Sequence, residues 1–184
     1  MPRLFPPMQV NTSLAPLGAD RFYALVKDGF FQDSAFLRFI PDVGLHFGIS
    51  SNFTMNRRWL HNKILDDPVM GNTKKGTVAF LAADGPNTRT SQVFINFHDN
   101  PHIKTNYGSK QWFGKVVSGL EVAEAVFDPI PGGDPGGLDN LGDIDQDKYE
   151  QLGNSWIREK FPGINFITNA YIREQEKATI ATNH

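Results

Sequence analysis

Residues 92–97 read Gln-Val-Phe-Ile-Asn-Phe, with Val93, Ile95 and Phe97 alternating with Gln92, Phe94 and Asn96. Successive side chains of a strand point to opposite faces, so this period of two predicts a strand with Gln92 and Phe94 on the same face. A Gly85-Pro86 turn and the polar Asn87-Thr88-Arg89-Thr90 loop precede it. Similar breaks recur along the chain, whose 17 glycines and 12 prolines leave room only for short elements. Strands are expected at residues 35–40 and 45–49 around the Pro41-Asp42 turn, and at 77–81, 92–97, 112–117 and 163–172. Residues 14–29 read as a helix, with Pro16 in its first turn, Phe22, Leu25 and Val26 as its apolar stripe, and Gly29 as its stop. A short helix is expected at 120–127 and a helical turn at 154–161. Residues 52–68 read as loop-like around Trp59. This pattern predicts a mainly β fold, an antiparallel barrel with helices at its ends. It forms one domain over residues 1–184, with its core at about 8–172 and a frayed tail at 173–184.

At 184 residues the chain can bury a full core. Its net charge of −2 offers no basic surface for nucleic acid and no polybasic tract for a membrane. No apolar run reaches the roughly 20 residues of a membrane span. With no cysteine, thiol catalysis, disulfides and thiolate metal sites are excluded. The first residues lack a signal-peptide core, so a cytoplasmic location is the default expectation. Two formal glycosylation sequons, at Asn11 and Asn52, read as coincidence in that setting.

Candidate metal sites are weak. His98 and His102 are four apart, but Asp99-Asn100-Pro101 between them is turn chemistry. Asp143, Asp145 and Asp147 have the spacing of a calcium loop. Lys148 and Asn154, however, stand where that loop needs glycine and glutamate, so a solvated acidic loop is the better reading. The stronger constellation joins Gln92 and Phe94 to Arg38, which interrupts the apolar run Phe36-Leu37-Arg38-Phe39-Ile40-Pro41. An arginine, a glutamine and a flat aromatic facing one cleft suit a site that grips a proline and acts on the amide before it.

These motifs resemble the cyclophilins, the peptidyl-prolyl isomerase family. Phe36 to Pro41 is similar to that family's Phe-x-Arg-hydrophobic-hydrophobic-Pro segment. Gly85 to Ile95 is similar to its Gly-Pro-Asn-Thr-x-x-Ser-Gln-x-Phe-Ile segment, and Trp112 to Val117 to its Val-Phe-Gly-Lys-Val segment. Gln151-Leu152-Gly153-Asn154 and Phe161-Pro162-Gly163-Ile164 resemble a subgroup ending in a Gly-Asn…Phe-Pro…Ile block. The resemblance spans roughly residues 10–170. It implies an eight-stranded antiparallel barrel capped by two helices. It also implies catalytic roles for Arg38, Gln92 and Phe94, and substrate contacts from Val43, His46, Ile103 and Lys110. The partners it implies are proline-containing segments of client proteins and, more weakly because of Val43 and Gly44, cyclosporin-like ligands. No cofactor is expected.

The chain departs from the family pattern in ways that bear on activity. Val43-Gly44 replaces the usual Phe-Met of the pocket wall, His46 replaces a glutamine, and one residue is inserted between Ala79 and Gly85. Lys110 occupies the place of an aromatic or histidine, with extra residues before it. A cut-back wall predicts weak turnover on short peptides, and a gain from Val43→Phe with Gly44→Met unless a neighbour such as Leu81 or Trp59 already fills the gap. The family's first strand is expected to be missing or reduced to residues 3–5, as if the N-terminus were truncated.

The chemistry needs no nucleophile and no metal. The amide C–N bond resists rotation by roughly 18–20 kcal/mol, and catalysis means binding the twisted amide better than either planar form. Twisting localises the nitrogen lone pair, which a permanently charged guanidinium such as Arg38 can meet with a hydrogen bond. Gln92 is suited to holding the peptide backbone and Phe94 to holding the ring. Two readings follow: a working isomerase, and a binding module of the same fold with little turnover.

Overall fold

The computed structural model describes residues 6–69, 71, 73–82, 85–99, 111–126 and 144–173. Seven strands among these form one antiparallel sheet: β1 (Met8–Val10), β2 (Ser34–Ile40), β3 (Gly44–Phe47), β4 (Thr77–Phe80), β5 (Val93–Asn96), β6 (Gly114–Val116) and β7 (Phe166–Ile167). Their order across the sheet is β1-β6-β4-β5-β3-β2-β7. Four helices accompany them: α1 (Pro16–Lys27), α2 (Phe53–Trp59), α3 (Leu120–Ala123) and α4 (Gln146–Lys160).

Period two is visible in the register. Phe39, Leu45, Ile95 and Val78 form one row across β2, β3, β5 and β4, and Phe36, Phe47, Val93 and Phe80 form another. Both rows belong to the main core with Leu25, Phe30, Phe31 and Phe113. Met8 of β1 and Ile167 of β7, at opposite ends of the sheet, pack into that same core. A sheet whose two end strands reach one core must curl around it. Among the described residues no ladder joins β1 to β7, so the sheet is curled, and the closed eight-stranded barrel expected above is not what these residues form.

A strand does precede α1. Met8, Gln9 and Val10, the stretch before Pro16 with strand character, pair with Val116, Lys115 and Gly114; the family's first strand was expected to be missing or reduced to residues 3–5. Residues 3–5 lie outside the described segments. Helix α1 starts at Pro16 as expected, but its cap comes from afar. Ala15 has no side-chain acceptor, and the Asp67 carboxylate takes the N–H groups of Leu17 and Gly18 at 2.9 and 2.8 Å. That same carboxylate accepts from Arg89 Nη1 and Nη2 at 3.1 and 3.0 Å. Arg89 has no exposed surface, so the pair ties the polar loop before β5 to the first turn of α1.

The helical content exceeds the expected two capping helices. Residues 53–59 form α2 because the Asn52 side chain accepts from the Thr54 and Met55 N–H groups, an N-cap that the loop-like reading overlooked. Trp59 ends that helix in the main core, its indole N–H on Asp28 Oδ2 at 2.7 Å. Helix α4 begins eight residues before the expected turn at 154, with Asp145 as its N-cap accepting from the Lys148 N–H. The acidic run therefore contributes a helix cap. α4 is interrupted at Gly153, whose φ of 64° suits glycine and whose missing Cβ admits the Ser51 carbonyl oxygen, 2.9 Å from where that atom would stand. The expected strand at 163–172 shrinks to β7, two residues paired to Ser34 and Ala35.

A second apolar cluster lies on the other face of β2. Ala35 and Leu37 pack there with Ile49, Ile144, Tyr149, Ile157 and Ile164, so α4 and the segment after it cover that face. The buried Tyr149 hydroxyl accepts the Ala35 N–H at 3.0 Å and donates to Asn154 Oδ1 at 3.1 Å, and burial pushes its pKa up to about 12. Asn154 in turn donates to the Asp33 carbonyl.

Candidate active site

The candidate residues fall on the face of the sheet opposite the main core. Arg38 of β2 is the register partner of His46 in β3, His46 is the partner of Phe94 in β5, and Phe94 is the partner of Ala79 in β4. Directly opposed residues of antiparallel strands share a face, with Cβ atoms about 4.5–5.5 Å apart. Arg38, His46 and Phe94 therefore form one row. The β-bulge between Phe36 and Arg38 makes this possible. It shifts the phase of β2 so that Phe36 and Phe39 both enter the core while Arg38 faces outward.

Gln92 stands two residues before Phe94, diagonal to His46. Its carbonyl accepts the Leu81 N–H, which extends the β4–β5 ladder beyond the named strands. Its side chain is held at both ends. Gln92 Oε1 lies 2.8 Å from His46 Nε2, and Gln92 Nε2 donates to Gln146 Oε1 at 2.9 Å. With the Gln92 oxygen turned toward it, His46 donates from Nε2. Burial, chiefly, and the nearby Arg38 guanidinium lower the His46 pKa to about 4, against a smaller opposing effect of the Gln92 hydrogen bond. The imidazole is therefore neutral at physiological pH, leaving Arg38 as the charged group of the row.

Phe94 is 1% exposed, and its ring fills the place the sequence reading assigned to a cut-back wall. A Cβ on Gly44 would stand 2.3 Å from the Phe94 Cζ and 2.3 Å from the Ile95 carbonyl oxygen. The gap is occupied by Phe94 itself, while Trp59 lies in the main core. Val43 sits half-buried in the turn between β2 and β3, its N–H on the Ile40 carbonyl and its own carbonyl accepting the Phe97 N–H. Ile103 and Lys110 lie outside the described residues, as do positions 83 and 84 near the inserted residue.

Sequence reasoning missed Gln146. Its signal was Asp145, a residue type favoured at helix N-caps, ahead of the apolar positions Tyr149 and Ile157; the spacing of the three aspartates resembled a calcium loop instead.

A profile described as cyclophilin-type peptidyl-prolyl cis-trans isomerase matches residues 8–135. The chain belongs to the cyclophilin-type peptidyl-prolyl cis-trans isomerases, enzymes that rotate X-Pro peptide bonds. Similar proteins include the peptidyl-prolyl cis-trans isomerase ppi1 of Schizosaccharomyces pombe, 31% identical over 122 residues that cover 65% of this chain and 76% of that protein. The peptidyl-prolyl cis-trans isomerase-like 3 of Rhizopus delemar is 27% identical over 132 residues, covering 67% and 76%. A crystal structure of a Cryptosporidium parvum cyclophilin-type isomerase, obtained in the presence of the dipeptide Ala-Pro, aligns with a TM-score of 0.49 at 23% identity, over 65% of this chain and 78% of that one. The cyclophilin match stops at residue 135, before α4 begins. Membership favours the working isomerase over the binding module.

Proposed function

We propose that this cyclophilin turns over proline-containing segments of client proteins on the outer face of β2, β3 and β5. Arg38 donates to the nitrogen of the twisted amide, Gln92 holds the peptide backbone, and Phe94 underlies the proline ring. The observation that carries this reading is the single row Arg38–His46–Phe94, with Gln92 hydrogen-bonded to its central member. A guanidinium, a carboxamide and an aromatic ring then converge on one patch, where a neutral imidazole can order the carboxamide without competing for charge. Val43 and His46 border that patch, and the resemblance to the family assigns substrate contacts to Ile103 and Lys110 as well. Cyclosporin-like macrocycles bind weakly on this reading, because neither Val43 nor Gly44 offers the apolar wall they would lie against.

The test is an exchange assay on a short X-Pro peptide, by NMR line shape or protease coupling. The expected result is acceleration over the uncatalysed rate that is lost in Gln92→Ala and in Arg38→Ala. Full activity in both variants would place the chemistry elsewhere.

A further inference from the structure

The hydrogen bond between Gln92 and Gln146 crosses from the sheet to an element outside the matched segment. A carboxamide is nearly symmetric in shape, and its two ends exchange by rotating the last side-chain torsion. A neutral imidazole cannot settle the choice alone. With Nε2 protonated it calls for the oxygen of Gln92, and with Nδ1 protonated it calls for the amide nitrogen. Gln146 is a second carboxamide with the same two ends, and in the structure it presents Oε1 to the Gln92 nitrogen at 2.9 Å, the arrangement that leaves the Gln92 oxygen facing His46.

Gln146 is itself well anchored. It is the first residue of α4, directly after the Asp145 cap. Three residues later the buried Tyr149 fixes the helix to β2 through the Ala35 N–H. Ile144 and Ile157 pack beside Tyr149 against Leu37, next to Arg38 in the chain.

We propose that Gln146 is a positioning residue for prolyl isomerisation, holding the Gln92 carboxamide with its oxygen toward His46 and its second N–H directed at the peptide. The inference rests on the reading that Gln92 touches the substrate. Each half of Gln92 keeps one unused capacity: the nitrogen has a second hydrogen and the oxygen a second lone pair. An oriented carboxamide offers these in one fixed arrangement, whereas a free one must be immobilised as each peptide binds.

The experiment compares the full chain with Gln146→Leu, which keeps the size but not the acceptor, and Gln146→Glu, which keeps an acceptor that cannot donate. Exchange kinetics and nitrogen-15 spectra of the His46 ring and the Gln92 side-chain amide are recorded for each. In Gln146→Leu, kcat/KM is expected to fall roughly three- to tenfold through a higher KM, since ordering one freed side chain costs that much. The His46 signals should move away from the Nε2-protonated pattern while the melting temperature holds. Gln146→Glu should restore both the kinetics and the spectra. The proposal is overturned if Gln146→Leu matches the parent in rate and spectra, or if Leu and Glu lose activity alike. If the parent shows no exchange catalysis, the active-site reading fails, and the His46 and Gln92 spectra still decide what Gln146 orients.

Discussion

The ring of Phe94 lies directly over Gly44, so that a Cβ on the glycine would meet the ring Cζ at 2.3 Å and the Ile95 carbonyl oxygen at 2.3 Å. One of these atoms is backbone and cannot swing aside. The ring can move, but only by leaving the position proposed for it beneath the proline. Gly44→Met should therefore cost about 1–3 kcal/mol of stability, as overpacking does, and should lower kcat/KM. Val43→Phe alone adds wall without that clash. At about 25 cal/mol per Å², 50 Å² of new contact corresponds to about 1 kcal/mol, or several-fold in kcat/KM. The combined change should fall below the parent, reversing the gain the sequence suggested. Denaturant midpoints and exchange kinetics on the three variants check this, and a Gly44→Met protein of parental stability would refute it.

Arg38→Ala should abolish most of the activity while leaving the melting temperature nearly unchanged, because the side chain is half-buried on the outer face and not part of either apolar cluster. Loss of a preorganised donor to a transition state typically costs about 10²–10³ in rate. Unfolding of the variant at ordinary temperatures would instead mark Arg38 as structural.

His46 gives the fold a pH dependence whose sign can be worked out. Its folded pKa of about 4 lies below the ordinary value of 6.5, so between those pH values the unfolded chain takes up a proton that the folded chain refuses. Stability contributed by this group is complete above about pH 6.5, declines as the pH falls toward 4, and is flat below. The full span is on the order of 3 kcal/mol at 1.36 kcal/mol per pK unit. His46→Gln should flatten this part of the curve in chemical denaturation followed from pH 7 to 4.

Asp67→Ala should be among the most damaging single changes, costing about 3–5 kcal/mol by leaving Arg89 buried without its closest counter-charge. It also removes the acceptor for the Leu17 and Gly18 N–H groups at the start of α1. Thermal unfolding measures the loss, and a shift of only a few tenths of a kcal/mol would mean that Asp66, 3.4 Å from Arg89 Nε, takes over the pairing.

Much of the site was legible because it is carried by local pattern. Period two in residues 92–97 placed Phe94 opposite the core, and one arginine in an apolar strand stood out without any partner known. The bulge that turns Arg38 outward was not legible, since it arises from how β2 and β3 pair. Nor was the filled wall: a glycine reads as vacant space until the ring from the neighbouring strand is seen to occupy it. The capped helices α2 and α4 were missed for a different reason. Asn52 and Asp145 were read through other motifs, a sequon and a calcium loop, although both residue types are strong helix caps.

The hydrogen bond from the Ala35 N–H to the Tyr149 hydroxyl joins positions 114 residues apart. On a ribosome, the strand that bears Arg38 is made more than a hundred residues before the helix that shelters its outer side. Until then Ala35, Leu37 and Ile49 lack their apolar cover, and the Ala35 N–H has water in place of the Tyr149 hydroxyl. A chain made from its N-terminus thus carries this face of β2 uncovered until residues 144–164, which supply Ile144, Tyr149, Ile157 and Ile164, have cleared the exit tunnel.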